Sequence, residues 1–220
     1  MEFTTIRPGV QMMTLPEESA NVILITGGSA SLLVDTGSSH QCGVQIRQAI
    51  ADTTDQPLTT VVLTHGHWDH AFGLSAFADL DTIGSENLID DLVCLENQTW
   101  AEKSGMNLDQ LTHPKTLLSL MTIRDLGGLT VEIVHFGPAH TRSDLVISIP
   151  QLNVILIGDL ADTDPAQFDE TSSPPGWIQT LNNIQTLTKP DTVIIPGHGT
   201  VLNTQQLMQF SDQLKTWGRF

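Results

Sequence analysis

The stretch His65-Gly66-His67-Trp68-Asp69-His70 decides how the rest of the sequence is interpreted. Four of its six residues can bind a metal, and it follows the apolar run Val61-Val62-Leu63, which predicts a buried strand. Residues two apart in an extended chain point to the same side, so the first two histidines are expected to reach one metal ion. A turn after the tryptophan would carry the Asp-His pair towards a second ion. Imidazole and carboxylate suit Zn²⁺ and related first-row ions.

Three further candidate ligands each come soon after an apolar run later in the chain. They are His140, Asp159 and His198, which follow the runs at 131–134, 154–157 and 193–195. Open α/β sheets place their binding sites at the carboxyl ends of strands. Four strand ends therefore bring seven candidate ligands to one edge of the predicted structure. A chance cluster of histidines would not explain this ordered set.

The same ordered motifs make the sequence resemble the metallo-β-lactamase-fold hydrolases along nearly its whole length. The motifs are Leu33–Gly37, Thr64–His70, Gly137–Thr141, Gly158-Asp159 and Pro196–Gly199. The resemblance implies an α/β fold of four layers, the α/β/β/α metallo-β-lactamase sandwich. It assigns one metal site to His65, His67 and His140, a second to Asp69, His70 and His198, and a bridging position to Asp159. It also implies that Asp35 helps to orient a ligand histidine.

Length and composition favour one globular domain over residues 1–220, because 220 residues with 40% hydrophobic content can build a substantial core. The net charge is −16 and no basic run offsets it, so nucleic acid is not an expected partner. No apolar stretch approaches the ~18–20 residues that cross a membrane, and the first residues lack the pattern of a secretion signal. We therefore expect a cytoplasmic protein with a small-molecule substrate and leave its oligomeric state open. Cys42 and Cys94 are expected to be free, buried thiols.

Local patterns predict alternating strands and helices. We expect a hairpin from the runs at 21–25 and 31–34, a helix at 41–51, a strand at 60–63 and a helix from Asp69 to about Phe77. The segment 85–124 has a mostly helical character and is interpreted as an insertion that caps the active-site edge, with strands resuming at Leu129. The loop 162–175 either borders the site or lies on the exposed surface.

Two late helices carry apolar stripes with helical spacing, which predict core contacts rather than substrate contacts. The stripes are Trp177-Leu181-Ile184-Leu187 and Leu207-Phe210-Leu214-Trp217.

Two divalent ions, with Zn²⁺ expected and iron or manganese possible, define the predicted chemistry. Two zinc ions about 3.5–4 Å apart share a bridging hydroxide, which exists at neutral pH because metal binding lowers the pKa of water to about 7. Asp69 is the expected catalytic residue, which orients this hydroxide and later helps to deliver a proton. The expected reaction is hydrolysis of an ester, thioester, lactone or cyclic amide in a small molecule.

Two other functions stay open. Iron-dependent persulfide dioxygenases resemble this motif set and use a single metal, although the extra second-site residues favour two ions. A non-catalytic binding protein on the same fold is the other alternative, and intact ligands at all seven positions argue against it. The chain has no tyrosine, which departs from quorum-signal lactonases, whereas true metallo-β-lactamases usually lack the bridging aspartate found here at 159. Arg142 is a candidate for holding a substrate carboxylate, but a salt bridge is the favoured interpretation.

Overall fold

The computed structural model of the chain describes residues 1–217, apart from the side chain of Trp217. In this part of the chain, twelve strands form two sheets, and each sheet keeps its strands in sequence order. The first sheet contains β1 (Thr4–Arg7), β2 (Val10–Thr14), β3 (Asn21–Thr26), β4 (Ser31–Val34), β5 (Leu58–Val62), β6 (Asp81–Ser85) and β7 (Thr116–Leu118). The second contains β8 (Met121–Asp125), β9 (Thr130–His135), β10 (Leu145–Ile149), β11 (Val154–Gly158) and β12 (Val193–Pro196).

Six α-helices accompany the sheets in the described residues. They are α1 (His40–Thr53), α2 (Trp68–Ala71), α3 (Leu88–Asp91), α4 (Leu95–Ser104), α5 (Pro174–Leu187) and α6 (Thr204–Trp217). The Ser39 side chain accepts a hydrogen bond from the backbone N–H of Cys42 at 3.2 Å and so caps the start of α1. The longest helices have 14 residues, and no described helix has the length and apolar character needed to cross a membrane.

Three apolar clusters hold the layers together and confirm the predicted α/β/β/α sandwich. The first lies between α1 and the outer face of the first sheet, where Ile46 and Ile50 meet Leu33 and Val61. The second fills the space between the two sheets. The third packs α5 and α6 on the outer face of the second sheet. Both predicted stripes lie in this third cluster except Leu187, which is exposed, and the side chain of Trp217, which lies outside the described residues.

The strand pairing explains why the candidate ligands meet at one edge. Strand β4 runs parallel to β5, and β11 runs parallel to β12. Parallel neighbours end on the same side of a sheet, so the residues that follow these four strands are brought together. These residues include Asp35 after β4, His65 after β5, Asp159 after β11 and His198 after β12.

The segment 85–124 is not helical throughout, which corrects the sequence-based prediction. Its first part contains α3, α4 and a 3₁₀ turn at 108–110, whereas its last part contains β7 and β8. Strands therefore resume at Thr116 rather than at Leu129. The two strands escaped prediction because β7 has three residues and β8 exposes Met121 and Ile123 instead of burying an apolar face. Each is an edge strand of its sheet.

The segment predicted as a helix from Asp69 to Phe77 is helical throughout, but only its first turn is α-helical. It begins at Trp68 as α2 and tightens into a 3₁₀ helix over Phe72–Phe77. Gly73 lies directly against the backbone carbonyl of Thr36, and its N–H donates to the carbonyl of Gly37 at 2.8 Å. This close approach of the 35–37 turn holds the segment in the tighter form.

Candidate metal centre

Four of the predicted ligands form a first group in which the candidate ligand atoms all lie within 4.8 Å of one another. They are His65, His67, His140 and Asp159. The Nε2 atoms of His65 and His140 each lie 3.8 Å from Oδ2 of Asp159. The Nδ1 atom of His67 lies 3.3 Å from Nε2 of His140. All three histidines are buried, so their ring nitrogens face one another rather than solvent.

The other three predicted ligands, Asp69, His70 and His198, form a second group that adjoins the first. The Nε2 atom of His198 lies 3.1 Å from Oδ2 of Asp69 and 3.2 Å from Nε2 of His70. Asp159 lies between the groups, because its Oδ1 is 3.4 Å from Nε2 of His70 and its Oδ2 is 3.6 Å from Nε2 of His198. The structure therefore brings all seven predicted residues together at one edge.

The cluster contains buried polar atoms that have no hydrogen-bond partner, as expected of atoms that bind a cation. Nε2 of His65 and Oδ1 of Asp159 are buried and have no hydrogen-bond partner. Buried polar atoms without partners are costly, and they are rare in folded proteins. A divalent ion would give these atoms the partner that the protein does not, and imidazole nitrogens with carboxylate oxygens are a donor set that suits zinc.

The loop that carries four of these residues is held by a residue that the sequence analysis did not single out. The fully buried Asn97 of α4 accepts a hydrogen bond from the N–H of Trp68 at 2.9 Å. Its amide nitrogen donates to the carbonyl of Gly66 at 2.8 Å. Gly66 itself has no room for a side chain, since an added Cβ would lie 2.8 Å from Cβ of Asp91. Asn97 thus fixes both the start of α2 and the backbone between the first two histidines.

Asp35 makes the contact with a ligand histidine that the resemblance implies. Its backbone has a φ of +66°, a conformation that aspartate tolerates better than most residues. One carboxylate oxygen accepts from the N–H of Thr64 at 2.8 Å, and the other accepts from the Thr64 hydroxyl at 2.8 Å and lies 2.9 Å from Nδ1 of His70. With Nδ1–H of His70 donating to Asp35, the lone pair of Nε2 is directed into the cluster.

Asp169 holds His67 in the same way, and no motif in the sequence indicates this contact. Oδ2 of Asp169 lies 3.0 Å from Nε2 of His67, on the side of the ring away from the first group. Oδ1 accepts from the N–H and hydroxyl of Thr171, both at 2.7 Å, and from the N–H of Ser172 at 3.1 Å. The Asp-x-Thr-Ser pattern signals such a local turn but says nothing about a distant histidine. The loop 162–175 therefore borders the site.

The ionisation of the histidines differs within the cluster. Burial, followed by repulsion from the neighbouring histidines, holds the pKa of His65 well below its ordinary value, and burial lowers the pKa of His140 to about 4. Against burial, which lowers it, the hydrogen bond with Asp169 raises the pKa of His67 well above its ordinary value. His65 and His140 are thus neutral imidazoles ready to bind a metal, whereas His67 must release a proton on binding one.

In the second group the carboxylates and histidines stabilise each other's charge. Against burial, which lowers it, the carboxylates of Asp69, Asp159 and Asp35 raise the pKa of His70 to about 10. Against burial, which raises it, His70 and His198 lower the pKa of Asp69 to about 2. This group must therefore also release protons on binding a metal.

The remaining histidines lie outside the two groups, and Arg142 forms the salt bridge that the sequence analysis favoured. His135 is buried, and its Nδ1 lies 2.9 Å from the carbonyl oxygen of Asp144. His40 and His113 are exposed. Arg142 forms an ion pair with the buried Asp91 at 3.4 Å and does not line the cavity beside the cluster. Both cysteines are free and buried.

Two packed sheets with helices on their outer faces, and with histidines and carboxylates gathered at one edge in groups that could hold a metal ion, define the class of the fold as an α/β/β/α sandwich. The chain belongs to the metallo-beta-lactamase superfamily, whose family model matches residues 15–198.

Known relatives of the chain are distant and have several activities. It is 21% identical to a metallo-beta-lactamase type 2 of Bacillus sp. (strain 170), over 89% of this chain and 73% of that protein. It is also 21% identical to the acyl-coenzyme A thioesterase MBLAC2 of Homo sapiens, over 87% of this chain and 77% of that protein. The metallo-beta-lactamase from Pontibacter korlensis superposes with a TM-score of 0.78 at 19% identity, covering 97% of this chain and 98% of that one. The metallo-beta-lactamase FIM-1 from Pseudomonas aeruginosa, in a mono-zinc form, gives a TM-score of 0.76 at 21% identity, covering 99% and 96%. At these identities the solved structures establish the fold alone.

Proposed function

We propose that the protein is a cytoplasmic, two-metal hydrolase that cleaves an ester, thioester, lactone or cyclic amide in a small molecule. The observation that carries the proposal is the position of Asp159. Its Oδ1 lies 3.4 Å from Nε2 of His70. Its Oδ2 lies 3.6 Å from Nε2 of His198 and 3.8 Å from Nε2 of both His65 and His140. A carboxylate that reaches both groups is placed to hold two ions side by side. When bound, such ions supply a water of lowered pKa and positive charge for the scissile carbonyl oxygen.

We assign Asp69 the role of catalytic residue. It lines the cavity beside the cluster, and its Oδ2 lies 3.1 Å from Nε2 of His198. Its carboxylate is therefore placed between the ligand residues and the space that an attacking water would occupy. Its low pKa keeps it ionised at neutral pH, which suits a group that accepts a hydrogen bond from that water and so orients it.

The named relatives support hydrolysis without choosing a substrate. One is a lactamase by name, which implies cleavage of a cyclic amide, and another is a thioesterase by name. The second group of ligands supports two metals over the single iron of a persulfide dioxygenase, because a one-metal enzyme needs only the group around His140.

Metal quantification on protein purified without added metal tests the proposal, together with a panel of ester, thioester, lactone and β-lactam substrates. We expect about two zinc ions per chain and hydrolysis of at least one substrate class. About one iron per chain with oxygen consumption on a persulfide would overturn the hydrolase proposal. Metal-free protein that hydrolyses the same substrates at the same rate would overturn the role of the metal.

A further inference from the structure

The cavity beside the cluster, of about 420 Å³, has a strongly acidic lining. Its carboxylates are Glu18, Asp69, Glu96, Asp159, Asp162, Asp164 and Asp169. None of the described residues that line it is a lysine or an arginine. Seven carboxylates outweigh the four positive charges of two divalent ions, so the cavity stays negative overall even with its metals bound.

A second depression, of about 530 Å³, continues from this cavity and has an apolar floor. The two spaces share Glu96, Phe168 and Asp169 as lining residues. In the floor, the indole rings of Trp68 and Trp100 stack with centroids 4.9 Å apart and an angle of 17° between their planes. We call this depression the Trp68 groove.

Leu95 adds an exposed apolar side chain to the lining of the Trp68 groove. This leucine is 62% exposed and lies beside the two indoles. Together with the stacked indoles it forms a contiguous apolar patch next to a cavity, and such patches mark ligand-binding grooves. The charged residues of the groove are Glu96, Asp169, Glu170 and Lys103, so its walls are also mainly acidic.

From these two features, and resting on the proposed hydrolase function, we propose that the substrate is an uncharged or cationic small molecule whose apolar arm lies in the Trp68 groove. The acidic lining repels an anionic substrate before it reaches the metals. The groove buries an alkyl or aromatic arm next to the scissile bond.

Three p-nitrophenyl esters of equal chain length test the charge preference. They are the uncharged hexanoate, the cationic 6-(trimethylammonio)hexanoate and the anionic monoester of adipic acid. We expect kcat/KM for the anionic ester to be at least about tenfold lower than for the other two, since several carboxylates act on it across a partly solvated cavity. The double variant Glu96→Gln/Asp164→Asn should reduce the ratio of kcat/KM for the uncharged ester to kcat/KM for the anionic ester by about threefold or more. The matched control Glu102→Gln/Asp109→Asn changes the net charge equally on exposed positions outside the cavity and should leave the ratio unchanged.

A variant of the exposed leucine tests the groove without endangering the fold. In wild-type protein, kcat/KM should rise with acyl length from acetate to hexanoate by up to about fourfold per buried methylene. Leu95→Ser should flatten that dependence. Leu187→Ser, which changes another exposed leucine that lies on α5 and does not line the groove, should not.

Binding measurements separate failure of this inference from failure of the proposed function. Calorimetry on the zinc-loaded protein compares hexanamide with the anionic monoamide of adipic acid, neither of which carries the nitrophenyl leaving group. Tighter binding of hexanamide without any ester hydrolysis would support the substrate preference and oppose the hydrolase. Hydrolysis of all three esters at equal kcat/KM, with equal binding of the two amides, would overturn the preference while leaving the hydrolase intact.

Discussion

Replacing Asp169 by asparagine should weaken one metal site and spare the other. The substitution keeps the size of the side chain and its Oδ1, which accepts the bonds from Thr171 and Ser172 that hold the turn. It replaces Oδ2, 3.0 Å from Nε2 of His67, by an NH₂ group that can only donate. His67 must then present a lone pair at Nε2, which places its proton on Nδ1, the atom that faces His140.

The expected loss of metal affinity follows from the single hydrogen bond between Asp169 and His67 that the substitution removes. A hydrogen bond to a charged group contributes about 1.5–3 kcal/mol, which corresponds to roughly 10- to 150-fold in a binding constant. Loss of a partner that orients a metal ligand typically costs about 10- to 100-fold in metal affinity. We therefore expect the affinity of the first site to fall by about 10- to 100-fold while the second site keeps its affinity.

Competition with a zinc-binding chromophore on apo-protein, titrated with zinc, measures the two affinities. The matched variant is Asp35→Asn, which makes the same chemical change next to His70, 2.9 Å away, and should weaken the second site instead. Asp109→Asn, an exposed aspartate outside the cluster, controls for the change in net charge. Two unchanged zinc affinities in Asp169→Asn, with the fold intact by circular dichroism, would refute the argument.

Four further outcomes follow from the site and the core. His140→Ala should remove mainly the first metal and His198→Ala mainly the second, as metal analysis after dialysis will measure. Asp69→Asn should lower kcat on the best substrate by about 10²–10⁴-fold with little change in melting temperature, because this side chain is not part of the apolar clusters. Trp177→Ala should destabilise the fold by about 3–5 kcal/mol in urea unfolding, because the ring is fully buried and its Nε1–H donates to the carbonyl of Leu160 at 2.7 Å. Chelation of the metals should remove up to about 4 kcal/mol of stability for each site that was held at a thousandfold excess of free metal over Kd, and thermal unfolding should show this as a lower melting temperature.

The sequence predicted those parts of the molecule whose signal is local. The hairpin of β3 and β4, the helix α1 and the stripe from Trp177 to Ile184 each have a period or turn that depends on near neighbours. The gathering of the seven ligand candidates was also predictable, because strand ends meet at one edge of a parallel pair.

Other parts depend on contacts between distant segments and leave no local pattern. Asp169 reaches His67 across 102 positions, and Asn97 of α4 reaches Gly66 across 31. The segment 85–124 was interpreted as a cap from its helical composition, but of this segment only Glu96 lines the cavity. Met106 and Leu111 of this segment pack against the core beside α1, whereas Trp100 both packs there and lines the Trp68 groove. The capping role stays a prediction, and it rests on Glu96, Leu95 and Trp100.

The division of the ligands between the two sheets has a consequence for how the chain matures. The residues from 65 to 70 follow a strand of the first sheet, whereas His140, Asp159 and His198 belong to the second. Hydrogen bonds join the two sheets at the same place. Asn21 of β3 donates to the carbonyl of Pro196 at 3.0 Å, and the carbonyl oxygen of Ser19 lies 3.2 Å from Nδ1 of His198. Neither half alone carries a complete set for either ion. Under the proposed two-metal function, a nascent chain that has made only its first sheet would lack part of each ligand set, and tight metal binding would then indicate that the two sheets have packed together.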